Sequence, residues 1–276
     1  MSTISASVDL NGANRTFTVN DSTNATTDVL ISSTILNTGA TAGITKAGAG
    51  TLAFTAANSY DGVTTVNAGA LQVGSSGTGQ TGTGAVTLAN TATLFGTGNV
   101  RGSSFTAASG STVHAGDTTA ESSYGTLTFT PVSGSGSIQF QSGGSVILGI
   151  NPGGTSDRLN IVGTGTNTLT FNANLTVGPA TLVPTTAEVF NLLDWTGLAS
   201  APTFASRFTF ISQLFGNGDE ATGLDLPDIS GTGYAWDISA FTTQGTISIV
   251  VVPEPSRALL LMVGMLAAIA RRRRVG

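Results

Sequence analysis

The single histidine, His114, stands in STVHAGD, three residues before Asp117. An imidazole near a carboxylate suits general-base chemistry or metal ligation. The plainer reading is a structural or solvent-facing histidine in a turn-rich strand. One histidine excludes any site that needs two imidazoles. The absence of cysteine excludes a thiolate nucleophile, a thiolate metal site and a disulfide. No G-x-S-x-G elbow is present to expose a nucleophilic serine. Asp219, Glu220, Asp225 and Asp228 crowd the stretch GNGDEATGLDLPDIS and offer oxygen ligands of the kind Ca²⁺ takes. That stretch lacks EF-hand spacing, and a solvated connecting loop is the default. Glycoside cleavage needs two facing carboxylates, yet no acid lies between Asp61 and Asp117. The Gly-x-Gly units at Gly48–Gly50 and Gly96–Gly98 have no following GK[ST], so nucleotide binding is not expected. Trp195 and Trp236 have faces that can stack on sugars, but core filling is the simpler role for both. The chain is therefore expected to be non-enzymatic, with no cofactor and no metal.

Charge narrows the partners. Only 9% of the residues are charged, against roughly 25% in an ordinary globular protein. Residues 1–252 hold fourteen acids and five bases, a net charge of 5 − 14 = −9. Such a body offers no basic footprint for phosphates, so no nucleic-acid partner is expected. The other five bases, Arg257 and Arg271 to Arg274, lie in the last twenty residues.

The elements that must position any site are strands. Period-two alternation recurs in RTFTVN, DVLISSTI, GTLAFTAA, VTTVNA, ALQVG, AVTLAN, GTLTFT, SIQFQS, SVILGI, LNIVG, TLTFNANLTV, EVFNLLDW, FTFISQLF and TISIVVV. Corners rich in Gly, Asn and Ser separate them, among them SYDG, NAG, SSGTGQTGTG and NPGGTSD. No long amphipathic helix precedes Arg257. Short strands at close spacing fit a sandwich, a barrel or a solenoid. The stretch Gly43–Gly74, GITKAGAGTLAFTAANSYDGVTTVNAGALQVG, favours the solenoid, because three strand-like runs each end at Gly or Asn. In one coil of a parallel β-helix, Leu52, Phe54, Val63, Val66, Leu71 and Val73 would point inward.

Those 32 residues resemble the autotransporter-associated β-strand repeat. Gly43, Lys46, Gly48, Gly50, Thr51 and Leu52 fill its first part. Asn58, Tyr60, Gly62, Thr64 and Val66 fill the second, and Gly69, Leu71, Val73 and Gly74 the last. The resemblance implies a right-handed parallel β-helix in an exported protein. Since about three coils are needed to bury such a core, neighbouring segments must be degenerate coils, with Ala85–Val100 a candidate. From about Asn172 larger apolar residues cluster: Phe190, Leu192, Leu193, Trp195, Phe204, Phe208, Phe210, Phe215, Trp236 and Phe241. The expected organisation is a β-helix over 1–171, a β cap region over 172–252 and a separate tail over 253–276. The cap is needed because an open coil end exposes unpaired strand edges.

The tail opens with Pro253, Glu254, Pro255 and Ser256, where two prolines end any strand. Thirteen uncharged residues follow Arg257: Ala258, Leu259, Leu260, Leu261, Met262, Val263, Gly264, Met265, Leu266, Ala267, Ala268, Ile269 and Ala270. As a helix they would rise about 20 Å, short of the roughly 30 Å hydrocarbon core, with flanking arginines snorkelling to close the gap. Arg271, Arg272, Arg273 and Arg274 would hold the cytoplasmic side. The order of proline-glutamate-proline motif, short apolar helix and basic cluster resembles the PEP-CTERM sorting signal of Gram-negative bacteria. That resemblance implies a membrane-anchored precursor, recognition by an exosortase-type membrane enzyme, and display on the cell surface or in an extracellular polysaccharide matrix. MSTISASVDLNGANR has neither a basic nor an apolar region, so it does not read as a secretory signal, and an upstream start or a longer parent chain is expected. The alternative function is a polysaccharide-binding or polysaccharide-cleaving β-helix. An autotransporter passenger is less favoured, because that reading calls for C-terminal barrel strands.

Overall fold

The computed structural model describes residues 1–118, 124–163, 165–179, 181–208, 213–214 and 223–252. The chain winds through eight successive coils, one for each strand of the second sheet described below. The first coil carries β1 (Ser2–Ile4), β2 (Val8–Asp9) and β3 (Arg15–Thr18). The second carries β4 (Val29–Ile31), β5 (Ile35–Leu36) and β6 (Ile44–Ala47). The third has β7 (Thr51–Phe54) and β8 (Thr64–Val66), and the fourth β9 (Ala70–Val73) and β10 (Val86–Leu88). The fifth holds β11 (Thr93–Gly96), β12 (Asn99–Val100) and β13 (Phe105–Ala107). The sixth holds β14 (Thr112–Ala115), β15 (Thr126–Phe129) and β16 (Ser137–Phe140). In the seventh, β17 (Ser145–Asn151) and β18 (Thr155–Ser156) make a hairpin before β19 (Arg158–Ile161) and β20 (Thr168–Phe171). The eighth runs through β21 (Asn174–Gly178), β22 (Glu188–Asn191), β23 (Leu193–Asp194) and β24 (Thr203–Phe204). Then come a 3₁₀ turn (Ser206–Phe208), β25 (Gln213–Leu214), β26 (Leu224–Asp225), β27 (Tyr234–Asp237), the short α1 (Phe241–Gln244) and β28 (Thr246–Val251).

Like strands of successive coils pair in parallel. The first sheet runs β1-β4-β7-β9-β11-β14-β17-β21-β26, the second β3-β6-β8-β10-β13-β16-β20-β24. The third side starts as β2-β5 and ends as β12-β15-β19-β23, linked between by single bridges from Gln80 to Ala57 and Asn99. This nearly all-β stack of parallel sheets is the arrangement of a β-solenoid. Parallel strands buried on one side need apolar residues at alternate positions only, which explains how so weakly repetitive a sequence can fold this way.

Register makes the core. Val29, Leu52, Leu71, Leu94, Val113, Val146, Leu175 and Leu224 are partners in turn along the first sheet. Phe105, Phe140 and Phe171 step along the interior with ring centroids 5.5 and 5.3 Å apart, and Phe208 and Phe241 extend the row towards the end of the coil. Of the expected inward residues, Leu52, Phe54, Val66, Leu71 and Val73 are fully buried, whereas Val63 is 48% exposed. Val63 and Val66 are an odd number of residues apart, so one strand cannot direct both to the same face. Thr64 takes the inward place instead.

The outward face of the second sheet is equally regular. Thr16, Thr45, Thr65, Thr87, Thr106, Gln139, Thr170 and Thr203 are successive register partners, spaced at about 4.8 Å by the strand repeat. None of these side chains ionises.

Parallel pairing does not stop at residue 171: β21, β23, β24 and β26 continue the three sides. A four-stranded antiparallel sheet, β22-β28-β27-β25, is threaded among them. Phe190 and Trp236 pack inside it, and the Trp236 indole N–H donates to the Pro227 carbonyl at 2.9 Å. Phe210 and Phe215 lie outside the described residues, as does the whole tail from Pro253 to Gly276. Among the described residues no helix is long and apolar enough to cross a membrane.

Candidate functional site

The polar residues of Gly43–Gly74 serve the coil itself. Lys46 is fully buried, and its ammonium donates to the carbonyls of Ala47, Gly48 and Ala68 at 3.0, 2.7 and 2.9 Å. Burial lowers its pKa, and the nearby Asp28 charge opposes that shift. Asn58 ties three coils: its side-chain oxygen accepts the Ile35 N–H at 2.8 Å, and its amide donates to the Gln80 carbonyl at 2.8 Å. The Tyr60 hydroxyl pairs with Thr64 at 2.7 Å, and burial pushes its pKa up to about 12. Asn58→Leu keeps the branched shape but orphans a buried N–H and a carbonyl. It should cost about 2 to 6 kcal/mol, at about 1 to 3 kcal/mol for each lost partner. Urea unfolding followed by circular dichroism reads the loss, and an unchanged midpoint would show that Asn58 does not staple the coils.

A cleft of about 240 Å³ lies on the outer face of the first sheet. Its floor is Thr51, Ala70 and Thr93, register partners at the starts of β7, β9 and β11, with Phe95 beside them. Thr26 and Thr27, which lead into β4, form one wall, and Asp117 and Thr118, which follow β14, form the other. Gln72 fastens both walls: the Thr27 hydroxyl donates to its Oε1 at 3.3 Å, and its Nε2 donates to the Asp117 carbonyl at 2.9 Å. The Asp117 carboxylate accepts the Ser76 N–H at 3.0 Å and the Thr97 hydroxyl at 2.5 Å. The Thr26, Thr51 and Thr93 side chains have no hydrogen-bond partner among the described residues, so their hydroxyls are open to a ligand.

His114 is 1% exposed, in register between Phe95 and Ile147 on this same outer face. Of the two plain readings, structural or solvent-facing, the buried position fits the structural one. Neither ring nitrogen has a partner among the described residues, and burial lowers the pKa, holding the ring neutral near pH 7. Asp117 turns to Ser76 and Thr97 rather than to His114, so the two do not form a base and its orienting acid. Among the described residues no group of three His, Asp or Glu side chains is placed to hold a metal. Asp219 and Glu220 lie outside the described residues, while Asp225 starts no such group and Asp228 accepts the Ser230 N–H at 2.8 Å. The sorting-motif, anchor and arginine positions all fall in the undescribed tail.

The cleft was not legible in the sequence, since its residues span 26 to 118 and meet only through the stacking register. Asp157 was also missed. It is fully buried at the foot of the β17–β18 hairpin, where its two oxygens accept the N–H groups of Gly149 and Gly125, each at 2.7 Å. Burial raises its pKa, the two amides pull it back, and the balance stands at about 7. An Asp directly after a Gly-rich corner, as in NPGGTSD, was the available signal.

A family model described as passenger-associated-transport-repeat matches residues 44–73. No curated protein and no solved structure matches the chain. Over those residues the chain is thus similar to the passenger-associated transport repeat, and the matched segment runs from β6 of the second coil to β9 of the fourth in a nearly all-β stack of parallel sheets.

Proposed function

We propose that the chain is an exported, non-enzymatic structural protein, sorted through its PEP-CTERM-like tail by an exosortase-type membrane enzyme and delivered to the cell surface or its polysaccharide matrix. The observation that carries the reading is the repeat match at residues 44–73, whose signature polar residues are bonded inside the coil and form a scaffold. A passenger-type repeat supports an exported or surface location and a right-handed coil. The order Pro253-Glu254-Pro255, apolar run, Arg271–Arg274 supports the sorting route, with Glu254 as the motif's charged element. In this reading the solenoid is the cargo, and the anchor is transient.

Cell fractionation of the full-length protein and of a version ending at Val252 tests the route. The full chain should appear in membrane and surface fractions, and the shortened one should lose membrane retention. Identical distributions would remove the tail from the sorting mechanism and favour passage as a barrel-borne passenger, which the repeat match also accommodates. A second reading, binding of a polysaccharide by the coil, is favoured by the threonine-lined cleft on the first sheet.

A further inference from the structure

We propose that the cleft on the outer face of the first sheet binds a terminal sugar unit of an uncharged polysaccharide, set between its two walls along the coil axis. The inference deepens the second reading above and rests on polysaccharide association, not on the tail. Shape comes first: the floor crosses three successive coils, with Thr26 and Thr27 of the second coil at one end and Asp117 and Thr118 of the sixth at the other. Thr51 and Thr93 stand two strand spacings apart, about 10 Å, so hydroxyls recur along the axis and not across it. A ligand that uses both must be extended in that direction.

Chemistry comes second. Each threonine presents a hydroxyl that both donates and accepts, next to a methyl group. That pairing matches a sugar ring, whose C–H and O–H groups alternate around its edge. Among the described residues the lining holds no Lys or Arg, so it offers a phosphate, sulfate or uronate no counter-charge. Asp117 repels anions further, within a body of net charge −9. Ala70 keeps the centre of the floor low, which leaves room for a ring between the two threonines. Rigidity comes third. Gln72 holds Thr27 and Asp117 in place before any ligand arrives, so little ordering remains to be done on binding.

The test uses the purified full-length protein with soluble neutral polymers (laminarin, mannan, xylan, galactan) and acidic ones (alginate, polygalacturonate), read by affinity electrophoresis and then by calorimetry with oligosaccharides of any polymer that retards it. At least one neutral polymer should bind, and Ala70→Trp, which fills the floor, should weaken that binding at least tenfold. Thr26→Trp, on the exposed wall, should also weaken it and guards against misfolding of the floor variant. Thr87→Trp, on the second sheet, should leave it unchanged. Retention of acidic polymers alone, or neutral binding that survives both cleft variants, would overturn the cleft while sparing polysaccharide association. No retention by any polymer would overturn both and leave the sorting route to its own test.

Discussion

Gly62→Ala should destabilise the protein by about 3 to 5 kcal/mol, with no change at any surface group. A Cβ on Gly62 would sit 2.3 Å from the Ala42 carbonyl carbon and 2.4 Å from the Gly43 nitrogen, both backbone atoms of the coil beneath. Backbone cannot swing aside as a side chain can. Relief requires the two coils to separate, which lengthens the neighbouring parallel hydrogen bonds, including Gly62 N–H to the Ala42 carbonyl at 2.9 Å. Overpacking a tight interior contact costs about 1 to 3 kcal/mol, and here an obligatory backbone bond is lost with it. Gly134 is the matched control: a Cβ there meets nothing within 4 Å, so Gly134→Ala should change stability by less than about 0.5 kcal/mol. Thermal and urea unfolding of the two variants settles the comparison. Equal stability would mean that the coils stack with more freedom than this contact allows.

The second large effect is on pH. Asp157 has a folded-state pKa of about 7, above the ordinary 3.8 of a free aspartate, so the folded protein holds its proton where the unfolded chain releases it. The contribution of this group is therefore fully present below about pH 4, declines as pH rises, and levels off above about pH 7. At 1.36 kcal/mol per pH unit the decline across that window is on the order of 4 kcal/mol. Asp9, Asp28, Asp61 and Asp228 act oppositely: hydrogen bonds depress their pKa values, so their contributions fade only as pH falls below the ordinary carboxylate range. Asp157→Asn isolates the first effect. It should flatten the fall in stability between pH 4 and pH 7.5, while lowering stability at pH 4 by about 1 to 3 kcal/mol, because the amide turns one N–H towards another. Denaturant midpoints at five or six pH values give the slope. If wild type and variant run parallel, Asp157 does not titrate in this window.

Much of the coil was readable before any geometry. Alternation marked β3, β7, β10, β15, β16 and β28, and the Gly-rich corners fell between strands. DVLISSTI, however, reads as one strand and is two, β4 and β5, because Ser32 and Ser33 turn the corner without glycine. Only residues 43–74 showed a repeat signature, although eight coils stack. Asn58 and Lys46 act at particular corners, and the other coils turn by other means, such as the Ser75–Thr78 bend or the β17–β18 hairpin. What alternation cannot reveal is which outward residues meet. Thr51 and Thr93 are 42 positions apart (93 − 51), and a register of 19 and then 23 residues brings them to one floor. The choice between a structural and a solvent-facing His114 was hidden for the same reason, since its burial depends on what covers an outward face.

The column from Thr16 to Thr203 also has a bearing on how the surface answers a change of medium. Its hydration comes from hydroxyls and one amide, none of which gains or loses a proton in natural waters. The acidic remainder of the surface changes its field with every shift in salt or acidity, yet this one column keeps the same unionised hydroxyls and amide throughout.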